Sequence, residues 1–72
     1  MKRYEYEILI GRDAPNAAGG VLWYLSSDMR QVVGDNVRMI LNALGDDGWE
    51  AVAAADLGYD ARTEILLRRR CD

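Results

Sequence analysis

Polar and apolar residues alternate from Arg3 to Ile10, with Tyr4, Tyr6, Ile8 and Ile10 on one side and Arg3, Glu5, Glu7 and Leu9 on the other. A period of two rich in aromatic and β-branched residues predicts a strand with one buried face. Gly11 to Gly20 holds Asp13, Pro15, Asn16 and two adjacent glycines, and reads as a loop, flexible over 12–20. Val21-Leu22-Trp23-Tyr24-Leu25 has strand composition and can pair with the first strand across that loop. The period then changes, because Val37, Ile40, Leu41 and Leu44 fall on one helical face. Met29, Val32 and Val33 continue that stripe backward. One helix over Asp28 to Leu44 therefore fits the apolar period, capped by Ser26 or Ser27, with Gly34 inside it at a cost of about 1 kcal/mol. A shorter helix from Asn36, with Gln31 to Gly34 extended, is the other reading; the longer helix is narrowly preferred. Gly45 or Gly48 ends the helix, since glycine alone enters the left-handed region cheaply. Trp49 follows, placed to cover the helix end.

Beyond this corner Trp49, Ala51 and Ala53 share one face of a strand, and Glu50, Val52 and Ala54 the other. Residues 56–61, with Gly58 and Asp60, read as a hairpin loop. Thr63 to Arg70 is the last strand, Ile65 and Leu67 opposing Glu64, Leu66 and Arg68. The order Tyr4-Glu5-Tyr6, Leu41-Asn42, Gly48-Trp49-Glu50 and Leu67-Arg68-Arg69 resembles the family known as domain of unknown function 4177, short bacterial and phage chains, over about two thirds of the chain. The resemblance implies a small strand–helix–strand–strand domain and no established activity. The chain departs from the family pattern in its long linker with a second tryptophan and in its alanine-rich strand after Trp49. The expected fold is α+β: a three- or four-stranded, mostly antiparallel sheet with one helix packed on one face, in the order β-[β]-α-β-β.

By parity the helix should cover Tyr4, Tyr6, Ile8, Ile10, Trp49, Ala51, Ile65 and Leu67. The opposite face then gathers Leu9, Val52, Ala54 and Leu66, ringed by Glu5, Glu7, Glu50, Glu64, Arg3 and Arg68. An apolar centre with a mixed-charge rim is the anatomy of an interface, and Leu9, Val52, Leu66 and Arg68 are its candidate residues.

Totals sharpen this picture. Seventy-two residues make one thin-cored domain, for which association is a natural support. A single cysteine, Cys71, allows no internal disulfide. The chain carries no apolar run long enough for a membrane span, and Met1-Lys2-Arg3 leads into Tyr-Glu-Tyr-Glu rather than a signal-peptide core, so a cytoplasmic protein is expected. A net charge of −3 with one short basic run, Arg68 to Arg70, argues against nucleic-acid binding. The absence of histidine removes the commonest neutral-pH base and metal ligand. No phosphate-loop signature is present, and no catalytic, metal or cofactor site is expected. Binding is the better class. Trp23 and Tyr24 on the linker, with Tyr59, Arg30 and Arg62, are candidate ligand contacts, since loop aromatics beside arginines suit an aromatic or anionic molecule. The sequence thus points to a non-enzymatic homo-oligomeric binding module holding such a molecule between subunits. The alternative is a protein-interaction or assembly component with no small-molecule site.

Overall fold

The computed structural model describes residues 3–56 and 63–71. Three strands come first: β1 (Tyr4–Asp13), β2 (Val21–Leu25) and β3 (Asp28–Gly34). The helix α1 (Val37–Asp46) follows, then β4 (Glu50–Asp56) and β5 (Thr63–Arg70). The class is α+β, as expected, but the antiparallel sheet has five strands, in the order β3-β2-β1-β5-β4. The expectation of three or four strands is corrected by β3, which the apolar period had assigned to a long helix. Ser26-Ser27 do not cap that helix. They turn β2 back into β3, and the β-branched pair Val32-Val33 suits an edge strand whose Gly34 would have weakened a helix. The helix begins instead behind Asn36, whose Oδ1 accepts the Met39 N–H at 3.1 Å. Nor does the first strand stop at Ile10: Gly11, Arg12 and Asp13 pair with Trp23, Leu22 and Val21. The connection after it is closed by the Ala14 N–H donating to Gly20 O at 2.9 Å.

Helix and sheet meet at the Gly48 corner. Gly48 has φ +92°, the Trp49 N–H donates to Leu44 O at 3.0 Å, and the Gly48 N–H donates to Gly45 O at 2.9 Å. This pair of bonds is the glycine-stopped helix end that satisfies orphan carbonyls and turns the chain sharply. Trp49 and Leu44 both pack against the core.

β3 and β4 run in the same direction at opposite edges, so α1 is a crossover past three strands. Ten helical residues reach about 15 Å, whereas five strands span about 19 Å between the outer axes. The helix therefore covers the middle of one face. Ile40 is buried there with Leu9, Trp23 and Leu67, flanked by Val37, Leu41 and Leu44.

The core turns on the row Gly34–Trp23–Gly11 across β3, β2 and β1. A Cβ at Gly11 would lie 2.7 Å from Trp23 Cζ3, and one at Gly34 would lie 3.2 Å from Ile40 Cδ1. The indole occupies room that side chains on both neighbouring strands would otherwise fill. Gly11→Ala is accordingly expected to destabilise the domain by about 1–3 kcal/mol, the usual cost of overpacking. Urea unfolding checks it; a midpoint equal to wild type means the ring is not fixed over Gly11.

Parity along β1 is the reverse of the sequence expectation. Leu9, fully buried, faces the helix, and Tyr4, Tyr6, Ile8 and Ile10 face away from it. In β4 a bulge between Ala51 and Ala53 flips the later residues, so Ala53 pairs with Leu66 and Ala54 with Ile65.

Candidate functional site

The sheet face opposite the helix is the surface that stands out. Along β1 and β5 it carries the cross-strand pairs Tyr6–Arg68, Ile8–Leu66 and Ile10–Glu64. Tyr24 of β2 stands beside Ile10, and Ala53 of β4 beside Leu66. Ile10, between its cross-strand neighbours Tyr24 and Glu64, is only 4% exposed, with no second layer above it among the described residues. Tyr6 is 61% exposed and Tyr4 39%. A shallow hollow of about 120 Å³ lies among Ile8, Ala53, Ala54, Glu64 and Leu66. Its outer wall is the alanine run of β4, which carries no large side chain to fill it.

The rim is ionic. Arg68 Nε donates to Glu50 Oε1 at 2.5 Å, and its guanidinium lies 4.7 Å from the Tyr4 ring centroid. The hydrogen bond that Arg68 donates to Glu50 raises the guanidinium above its ordinary value, so Arg68 is a fixed cation on this face. Its neighbour Arg69 points to the helix side. There its guanidinium contacts Glu5 at 2.5–2.6 Å, lies 4.4 Å from the Trp49 ring and donates to Asp47 O at 3.3 Å. The end of the covered face that the short helix leaves open is thus closed by an arginine.

Glu7 occupies the other gap on the helix side. Its carboxylate accepts the Ser26 hydroxyl, the Ser27 hydroxyl at 2.7 Å and the Ile8 N–H at 2.8 Å. Desolvation alone would push this carboxyl up, but the donated hydrogen bonds outweigh it and hold the group below its ordinary value. A carboxylate so stabilised is a weak base at neutral pH, suited to clamping the β2–β3 turn rather than moving protons. A folded-state value below the unfolded one adds stability above the unfolded value of about 4.5. That contribution is lost as pH falls through the lower folded value. Glu7→Gln is therefore expected to lower stability at pH 7 and flatten its decline in acid. Thermal melts between pH 3 and 7, on the order of the range Glu titrates, check it; parallel curves for both proteins overturn it.

The expected ligand residues do not converge. Trp23 is not a loop aromatic but a core residue, 7% exposed, because the glycines on both sides draw its ring beneath the helix. Tyr24, next in the strand, points to the opposite face. Arg30 is exposed on edge strand β3, where its N–H donates to Asp28 Oδ1 at 3.2 Å. Tyr59 and Arg62 lie outside the described residues. Of the expected interface set, Leu66 and Arg68 stand on the uncovered face, Val52 is the 41%-exposed extra residue of the β4 bulge, and Leu9 is corrected to the core. The row Tyr6, Ile8, Ile10 and Tyr24, read from sequence as core or ligand contact, supplies the apolar surface in their place.

A scan against protein-family models, a search of curated proteins and a search of solved structures found no match for this chain. Among the described residues no helix is long and apolar enough to cross a membrane.

Proposed function

We propose that this chain is a self-associating interaction module that works through its uncovered sheet face, with no small-molecule site of its own. The observation that carries this reading is the Tyr6–Ile8–Ile10 row lying beside Leu66 with no second layer over it among the described residues. Domains are built from packed layers, and a sheet with one bare apolar face gains by burying it against another chain. Reading the protein as a carrier of an aromatic or anionic ligand loses support because Trp23, Tyr24 and Arg30 sit in three different settings. Sedimentation velocity over a dilution series tests the proposal. The expected result is a discrete oligomer that dissociates on dilution. A monomer throughout the micromolar range sinks it.

A further inference from the structure

We infer that the occupant of the uncovered face is a second copy of the chain, packed face to face about a two-fold axis that crosses the strands at Leu66. This rests on the self-association proposed above and specifies its geometry.

Along β5 the residues presented to this face are Glu64, Leu66, Arg68 and, at the end of the strand, Arg70. The first three run acid, apolar, base, with the leucine between the two charges. A two-fold axis lying between the sheets and running across the strands reverses strand direction in the second copy. It sets Leu66 against Leu66, and Glu64 of each subunit against Arg68 of the other. Beside it the β1 row Tyr6, Ile8, Ile10 meets its own reverse, so the apolar strip closes on itself. An axis running along β5 would instead stack Glu64 on Glu64 and Arg68 on Arg68. An isologous interface must be complementary to itself, and the charge order satisfies that for one direction only.

Geometry and size agree. Packed sheets stand about 10 Å apart, so side chains from both faces interdigitate between them. Residues two apart on a strand are about 6.6 Å apart. The ordinary rotation of about 30° between packed sheets then displaces Glu64 from the facing Arg68 by about 3 Å, within the reach of an arginine. Five strands about 4.8 Å apart, each about 25 Å long, offer on the order of 600 Å² per subunit and 1,200 Å² per pair, the lower end of stable interfaces. The hollow beside Leu66, walled by Ala53 and Ala54, gives the facing leucine a place to enter. Arg68 keeps its Glu50 partner, and Glu64 is itself engaged within its own chain, so the contacts across the axis extend existing networks.

The test is a charge exchange. Glu64→Lys places cation against Arg68, and Arg68→Glu places acid against Glu64, twice in each homodimer. Each variant alone is expected to dimerise at least about tenfold more weakly than wild type. Mixed in equal amounts, they form a heterodimer in which both facing pairs are again opposite in sign. Native mass spectrometry reads that species directly, and circular dichroism confirms that each variant is folded. Should Arg68→Glu alone misfold beside Glu50, the double variant E50K/R68E keeps the pair within the chain with its polarity reversed and takes its place. A wild-type dimer whose single variants associate normally, or whose mixture stays monomeric, overturns the geometry while self-association stands. A wild-type monomer at every concentration overturns both and leaves a different protein as the occupant.

Discussion

Replacing Trp23 with alanine leaves the domain largely unfolded at 25 °C. Removing a buried aromatic side chain costs about 3–5 kcal/mol, and the spread depends on how far the surroundings collapse into the void. Here they collapse little. The cross-strand neighbours on both sides are Gly11 and Gly34, with no side chains to move inward, and Ile40 is held from above by the helix. The cost should fall at the upper end. A domain this small stands near the bottom of the usual 5–15 kcal/mol range, so about 5 kcal/mol consumes most of its stability. Urea unfolding followed by far-ultraviolet circular dichroism measures it directly. Tyr24→Ala, one residue on and facing the other way, serves as the comparison and should keep the fold. Were Trp23 a ligand contact on a loop, both variants would unfold near the wild-type midpoint.

Leu66→Asp separates the subunits without unfolding them. Leu66 sits at the centre of the uncovered face, and a two-fold interface carries the substitution twice. Central residues of such patches cost about 2 kcal/mol or more each on truncation, and a buried unpaired carboxylate costs more. The dissociation constant should therefore rise by about a thousandfold or more. Half-buried in the single chain, Leu66 contributes less to the fold than Leu67 beside it, so the melting transition should remain cooperative. Met39→Asp is the control, since Met39 is 66% exposed on the outer side of the helix. If Met39→Asp rather than Leu66→Asp breaks the assembly, the subunits meet through their helices.

Much of this architecture is legible in the residues, and the misreadings have physical causes. Val37, Ile40, Leu41 and Leu44 announce the helix, and Gly48-Trp49 announces its end, because period and glycine chemistry are local. The strand β3 is hidden since Met29, Val32 and Val33 keep helical phase with the residues that follow. What decides against the helix is distant: β2 needs a partner on its outer side. Parity on β1 misleads for a related reason. Its bulky row, Tyr4 to Ile10, looks like core, whereas its buried row offers one leucine, one glycine and two glutamates. The missing bulk comes from Trp23 on the neighbouring strand. The glutamates are tolerated because the helix is too short to cover them and because Arg69, Ser26 and Ser27 supply their hydrogen bonds. The uncovered face was legible as a kind of surface, an apolar centre with a charged rim. Its β5 residues, Leu66 and Arg68, were legible too; its β1 residues were not, since the reversed parity there exchanges Leu9 for Tyr6, Ile8 and Ile10.

The interior position of β5, between β1 and β4, also bears on how the chain acquires its structure during synthesis. Glu5 and Arg69 lie 64 residues apart in sequence yet side by side in the sheet. When the ribosome has delivered β1 to β4, the strand that joins the two halves is still missing. β1 shows an open edge on one side and β4 has nothing to pair with. Closing so long a loop is slow, and unpaired apolar edges are where nascent chains stick to one another. Insertion of Thr63–Arg70 between β1 and β4 is thus expected to be the late, committing step of folding. A chain cut short before Thr63 is expected to aggregate under conditions in which the full chain does not.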